Sequence, residues 1–258
     1  MKAFNLIYLL SIFLSSAIYS QDTIREYFDN NWDEITNIEN ASFYRKAFKD
    51  SNNVWIVYDY YISGKIQMTS SFQSNKFSKQ QGHTMYFFEN GQKKSEGDYI
   101  NDLRVGEWNW WYETGELLEK GHYEKGNSIG AWQGWYKNGQ LAFLGNYKDD
   151  KKVSIWEYFY ESGELRRKSN YTNYPTILSE GFHKNGVKSY SGELSSGRKT
   201  GEWVQWNEEG RKLSEGYFKN GLKEGLWIRY FKEGKLELLY KKGVQKGDQE
   251  YGGMIRKD

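Results

Sequence analysis

The chain has 258 residues, a formal net charge of +2, no cysteine, and a single proline beside 27 glycines. Without cysteine it can form neither a disulfide nor a thiol nucleophile, and the near balance of acids and bases argues against a nucleic-acid-binding protein. Aromatic residues make up 18% of the chain while long aliphatic runs are few, which excludes a deep core of leucine, isoleucine and valine.

The N-terminal residues 1–21 have the pattern of a secretory signal peptide. Lys2 precedes an apolar run that ends near Leu14, and small residues follow up to Ser20. Because the run is too short for a membrane-spanning helix, the sequence predicts cleavage near residues 20–21 and a periplasmic or extracellular protein.

Residues 22–53 are rich in aromatic side chains but show no repeat period. We expect them to form short strands that cap the first edge of the sheet, since an open edge would otherwise pair with another chain.

Residues 54–243 repeat one motif eight times, and a turn glycine marks each unit. The first step between these glycines is 27 residues and every later step is 23 or 24. A period of this length predicts an array of small supersecondary units rather than one globular core. The eight turn glycines are Gly64, Gly91, Gly115, Gly139, Gly163, Gly186, Gly210 and Gly234.

Each unit reads as a β-hairpin, because short runs rich in Trp, Tyr and Phe lie between the glycine turns. Dipeptides such as Asn138-Gly139 favour a two-residue turn, with a three-residue turn as the alternative. The two-residue turn places the residue seven before the glycine opposite the residue six after it, so Trp108 should cover Gly121. The predicted fold is all-β: an elongated, single-layer twisted meander of about eight antiparallel hairpins.

Two links depart from the period, and the array ends in a polar tail. The link at residues 73–81 is longer than the others, and the link at residues 172–176 contains Pro175, which suits a loop because proline cannot donate to a ladder. Residues 244–258 are polar and glycine-rich, and we expect a frayed end or a weak final strand there.

Residues 106–126, GEWNWWYETGELLEKGHYEKG, resemble the variant of the MORN (membrane occupation and recognition nexus) repeat, which occurs in bacterial exported proteins, some of them labelled antitoxin-like. The resemblance continues in register through residues 54–243. It implies an elongated meander of hairpins used for binding or scaffolding, and it implies no catalytic residue.

Strand alternation separates two aromatic columns of the repeat. Tryptophans seven residues before the turn glycine should form the packed face. The aromatic residues four before it, here called the aromatic file, should lie on the other face as a candidate binding surface. The alternative is that these rings only stack on one another between hairpins. The aromatic file consists of Trp111, Trp135, Phe159, Phe182, Trp206 and Tyr230.

No catalytic residue, cofactor site or metal site is predicted. The three histidines, His83, His122 and His183, lie in different repeats without the spacing of metal ligands. Phosphate-binding and nucleophile motifs are missing from the sequence, and the charged residues of the turns and links, Lys152 and Lys223 among them, are expected to be solvated.

The sequence therefore predicts an exported, non-enzymatic repeat protein that binds another protein. Binding of carbohydrate or cell wall is one alternative, and an antitoxin-like or membrane-surface-associated role is another. Nucleic acid and membrane are not expected partners. The oligomeric state and the identity of the partner stay open.

Overall fold

The computed structural model describes residues 24–246, and in that range it contains β-strands and one short 3-10 helix, Ile38–Asn40. The predicted signal peptide and residues 247–258 of the predicted tail lie outside the described residues. The strands are Ile24–Phe28 (β1), Glu34–Ile35 (β2), Phe43–Lys49 (β3), Trp55–Tyr61 (β4), Ile66–Phe72 (β5), Gly82–Phe87 (β6), Lys93–Ile100 (β7), Leu103–Trp111 (β8), Leu117–Glu124 (β9), Asn127–Trp135 (β10), Leu141–Lys148 (β11), Lys151–Phe159 (β12), Leu165–Asn170 (β13), Thr176–Phe182 (β14), Lys188–Ser195 (β15), Arg198–Trp206 (β16), Lys212–Lys219 (β17), Leu222–Phe231 (β18), Gly234–Lys241 (β19) and Val244–Gln245 (β20).

All strands belong to one antiparallel sheet. From β4 to β19 each strand pairs with the strand before it and the strand after it, β3 pairs with β1 and β4, and β1 lies between β2 and β3. The sheet is an open meander that contains the eight expected hairpins, β4–β5 through β18–β19. The predicted all-β array is therefore confirmed.

The turns at the first seven repeat glycines are three-residue loops, so for these units the predicted two-residue turn is wrong and its alternative is right. In the eighth unit Phe231 pairs with Gly234 across two residues. In the third unit Gly115 N–H donates to the Tyr112 carbonyl, and Tyr112 N–H donates to the Glu116 carbonyl. Only the glycine of this loop has a positive φ, whereas a two-residue type I′ turn needs two such residues. The same pair of hydrogen bonds closes the first seven units.

The predicted strand register survives this correction because a bulge compensates for the longer loop. Trp111 pairs with Leu117, but Trp110 pairs with Glu119, which leaves one extra residue on β9. Beyond the bulge Trp108 pairs with Gly121, as the two-residue turn would also have required.

Two-residue turns do occur, at the opposite edge of the sheet, where one unit is linked to the next. Lys125 and Gly126 have φ values of 50° and 84°, which is the pair of positive values that a type I′ turn requires. The N–H of Gly126 also donates to the carbonyl of Arg104 on β8, just after the preceding link (2.9 Å). Equivalent hydrogen bonds hold other successive links together.

The N-terminal end of the sheet has its own small core. It consists of Ala47, Trp55, Val57, Met68 and Phe72, all buried. The long link at residues 73–81 folds over this cluster, and its Phe77 contacts Trp55 and Phe72 edge-on, at 5.7 Å between ring centroids in each case. The irregular link therefore covers the sheet face where the tryptophan column is missing.

Along the rest of the sheet, the buried tryptophans each lie on a glycine of the preceding strand. A Cβ added to any of these glycines would stand 2.1–2.3 Å from an indole carbon. The prediction that each ring covers the glycine of its own hairpin is therefore wrong, although the backbone register behind it is right. The pairs are Trp108 on Gly97, Trp132 on Gly121, Trp156 on Gly145, Trp203 on Gly192 and Trp227 on Gly216.

A second bulge explains the direction in which these rings lean. The register of β11 and β12 shifts between Leu144 and Asn146, and the indole N–H of Trp156 donates to the Asn146 carbonyl at that shift (3.1 Å). A bulge disrupts the ladder and leaves backbone groups that need another partner. Where Ser169 and Ser179 replace glycine and tryptophan, the register is regular.

Candidate functional site

The aromatic file lies on the sheet face opposite the buried tryptophans. Trp108 and Trp111 are three residues apart on β8, which is continuous between them, so their side chains point to opposite sides. All six members of the file are half-buried. They occupy every second strand, which separates neighbouring members by roughly 10 Å.

This spacing decides between the two interpretations of the file. Stacked aromatic rings have centroids about 4.5–7 Å apart. Within residues 24–246, none of the observed ring contacts joins two members of the file. The alternative that these rings merely stack on one another is therefore wrong.

Lysines from neighbouring strands lie over the file instead. The ammonium group of Lys93 is 4.8 Å from the ring centroid of Trp111, and that of Lys120 is 5.9 Å from Trp135. Lys93 also pairs with Glu96 at 2.7 Å. The surface around the rings thus carries charges of both signs.

Side chains three residues before the turn glycine hold the backbone of the file. The Tyr112 hydroxyl donates to the carbonyl of Trp135 in the next unit (2.9 Å), and Tyr136 donates likewise to Phe159 (2.8 Å). His183 stands where other units have an aromatic residue, and its Nε2 is 2.9 Å from the Trp206 carbonyl. This histidine therefore has a structural role within the array.

The tryptophan face carries a row of cations that the sequence analysis missed. Lys152 and Lys223 were expected among solvated turn residues, but their ammonium groups lie over indole rings. A signal was present in the sequence, because each cation stands eleven residues before a turn glycine. The contacts are Arg104 over Trp108 (4.5 Å), Lys152 over Trp156 (4.1 Å), Lys199 over Trp203 (4.1 Å) and Lys223 over Trp227 (4.2 Å).

Several ionisable groups have shifted pKa values for identifiable reasons. Burial lowers the pKa of Lys152, Lys199 and Lys223. The hydrogen bond to Glu215 raises the pKa of Tyr230 to about 12. Lys199, Lys223 and Tyr230 lie on strands β16 and β18 and line one groove, whereas Lys152 lies apart from them on β12.

In the described part of the chain, no three His, Cys, Asp or Glu side chains converge where they could hold a metal ion. Nδ1 of His83 lies 3.0 Å from Oδ1 of Asp98, but both side chains are more than half exposed. The one helix between residues 24 and 246 has three residues and cannot span a bilayer.

The family model of the MORN repeat variant matches four consecutive stretches, residues 80–101, 104–125, 129–149 and 152–173. These stretches correspond to the hairpins β6–β7 through β12–β13 with their links. Residues 80–173 are therefore four tandem MORN-variant repeats. The other four hairpins of this MORN-variant array continue the same meander at both ends.

Comparison with curated proteins finds no match to this MORN-variant chain. Repeats of this family are generally non-enzymatic, and they suggest a repeat-based protein-binding module.

Proposed function

We propose that this MORN-variant protein is an exported, non-enzymatic scaffold that binds a partner protein through the aromatic file. The supporting observation is a line of six half-buried aromatic side chains, no two of which form a ring–ring contact with each other. Aromatic residues with a polar surrounding are enriched at protein interfaces. A partner that spans several units would cover rings at regular intervals.

The contacts around the rings favour a protein over a glycan. A sugar stacks on the open face of an aromatic ring, but Lys93 occupies a face of Trp111 and Lys188 approaches Trp206 at 5.9 Å. Lys188 is also bound to Glu180 at 2.5 Å. Rings flanked by paired charges match the mixed apolar and polar chemistry of a protein surface.

Binding through the file is tested with purified protein immobilised and exposed to an envelope extract. We expect the double variant Trp111→Ala, Trp135→Ala to lose the specifically retained protein. Tyr174→Ala is the matched control, because Tyr174 is a 69% exposed aromatic residue in a link, away from the file. Thermal melts establish that all variants are folded.

Equal retention by the wild type and the double variant would reject the file as the binding surface. A peptidoglycan sedimentation assay run in parallel addresses the glycan alternative. Sedimentation of the wild type that is abolished in the double variant, with no protein retained from the extract, would assign the file to cell wall instead.

Export is part of the same proposal and rests on the N-terminal sequence, residues 1–21. We expect the mature protein to begin near residue 21 or 22 and to be recovered from the periplasm or medium. N-terminal sequencing of the fractionated protein tests this. A cytoplasmic protein that retains Met1 and Lys2 would contradict it.

A further inference from the structure

The two faces of the C-terminal half of the sheet differ in charge. The glutamates of strands β12–β19 all point to the face of the aromatic file. Glu202 and Glu215, for example, stand next to Trp203 and Gly216, which pair on the tryptophan face. The remaining glutamates of these strands are Glu157, Glu180, Glu193, Glu224 and Glu237.

The tryptophan face of the same strands carries cations without carboxylate partners. In the described residues, none of the ion pairs of the protein includes Lys199, Lys223 or Arg229. Arg167 stacks on Tyr158 at 4.0 Å, and its buried Nε has no hydrogen-bond partner. Positive charge is thus held at this face without neutralisation.

Three of these cations line one groove across strands β16, β17 and β18. The groove has a volume of about 570 Å³, and its walls include Lys199, Lys223, Arg229, Gln205 and Phe218. Burial and then the charge of Lys223 lower the pKa of Lys199, while burial and then Arg229 lower that of Lys223. The cations therefore lie close enough to repel one another.

The indole rings beneath the lysines are closed to a ligand. Trp203 is 5% exposed and Trp227 is 4% exposed, and each has an ammonium group over its ring. Stacking of a base or a sugar on these rings is therefore blocked, so the groove offers a ligand its cations and its polar side chains. Such a surface suits an anion.

The spacing of the cations indicates how far apart the anionic groups of a ligand would have to be. Lys199 and Lys223 occupy equivalent positions on β16 and β18, two strands apart, which corresponds to roughly 10 Å. A polyproline II segment advances about 3.1 Å per residue with three residues per turn, so its every third side chain faces the same way at about 9 Å.

From this geometry we infer that the groove binds an acidic polypeptide segment in an extended conformation, with carboxylates at about every third residue. The segment crosses β16–β18 on the tryptophan face, and Lys199, Lys223 and Arg229 bind its carboxylates. This site goes beyond the proposed function, because its cations lie on the tryptophan face. Tyr230 is the one member of the aromatic file among the residues that line the groove.

The test uses the full-length mature protein and two fluorescent peptides of six tripeptide repeats, Glu-Pro-Pro and Gln-Pro-Pro. We expect anisotropy to report binding of the acidic peptide only, weakening as salt rises. The double variant Lys199→Gln, Lys223→Gln should bind at least about tenfold more weakly, the factor expected from about 1.4 kcal/mol.

The control double variant Lys219→Gln, Lys232→Gln removes the same charge from exposed positions outside the groove and should change affinity less than about twofold. Arg229→Gln, at an exposed position, provides a second test that does not alter the half-buried Lys199 and Lys223. The double variant Trp111→Ala, Trp135→Ala should bind the peptide as tightly as the wild type. The peptide result therefore does not depend on whether the aromatic file binds a partner protein.

Equal affinity of the wild type and the groove variant for the acidic peptide would overturn the inference. So would equal binding of the two peptides. Binding of single-stranded DNA or of vesicles with anionic lipid, without binding of the peptide, would assign the cations to a different polyanion and would also overturn it.

Discussion

Trp156 lies directly on Gly145 of the preceding strand, so close that a Cβ on residue 145 would stand 2.1 Å from the indole. The indole N–H reaches the carbonyl of Asn146, the next residue, at 3.1 Å. One tryptophan thus fills the space of a missing side chain and binds a carbonyl at a bulge. The contact of a tryptophan with a glycine recurs in five of the eight units and connects each of these units to the one before it.

Replacing Gly145 with alanine should destabilise the array by about 1–3 kcal/mol, because the added methyl group overlaps a fully buried ring. The measurement is urea unfolding followed by circular dichroism. Ser169→Ala is the control, since Ser169 occupies the same column without a tryptophan over it. A Gly145→Ala protein as stable as the wild type would show that the ring moves aside freely.

The same contact predicts coupling between the two positions. In a Trp156→Leu background the methyl group added by Gly145→Ala has more space. The loss of unfolding free energy caused by Gly145→Ala should therefore be smaller, with a coupling energy of about 0.5–3 kcal/mol between the two positions. A double-mutant cycle from the four unfolding curves measures this value. Additive effects would mean that the overlap is relieved elsewhere.

The substitution Tyr136→Phe should lower the free energy of unfolding by about 0.5–1.5 kcal/mol. The reason is that the carbonyl of Phe159 in the next unit loses the hydroxyl donor that lies 2.8 Å from it. Tyr174→Phe should be neutral, since Tyr174 lies exposed in a link. His183→Tyr should retain the equivalent contact with Trp206, while His183→Phe should lose it. Similar unfolding curves for Tyr136→Phe and Tyr174→Phe would contradict the role of the hydroxyl.

Arg45 and Asp59 form a buried ion pair near the N-terminal core, with Nε and Nη2 of Arg45 at 2.8 and 2.9 Å from the two carboxylate oxygens. The substitution Arg45→Met should lower the free energy of unfolding by about 3–5 kcal/mol, because it leaves the buried carboxylate of Asp59 unpaired. The double substitution Arg45→Met, Asp59→Leu should recover much of this loss. Glu26→Gln is the control, since its contact with Arg45 is longer, at 3.7 Å. A double variant no more stable than Arg45→Met would contradict this explanation.

The hydrogen bond between Tyr230 and Glu215 should give the protein an alkaline-sensitive contribution to stability. It raises the pKa of Tyr230 from 10.0 to about 12 in the folded protein. A raised folded-state pKa means that the contribution is complete below the unfolded pKa and is lost as the pH rises through the folded value. The stability difference between the wild type and Tyr230→Phe should therefore be constant up to about pH 10 and shrink towards pH 12.

Unfolding by urea at several alkaline pH values measures this difference. Glu215→Gln serves as the control, because without the carboxylate the main cause of the shift disappears. A difference that is unchanged up to about pH 12 would show that the tyrosine ionises no later in the folded protein than in the unfolded chain.

The hairpins and their order could be predicted from the repeat alone, and so could the register that pairs Trp108 with Gly121. These features depend on local geometry: turn glycines, short aromatic runs and alternation of side chains along a strand. The aromatic file could be placed on one face for the same reason. Its half-burial and the lysines over its rings depend on adjacent strands and could not be read from one unit.

The period of the sequence by itself determined that the protein is a meander of eight hairpins, because each turn requires only its own residues. The tertiary structure alone decided that Trp132 covers Gly121 while Trp108 leans back onto Gly97, since a bulge sets the direction of each ring. It also decided that Lys199 and Lys223 lie over Trp203 and Trp227, each four residues further along the same strand, because the register of each strand shifts between the two positions.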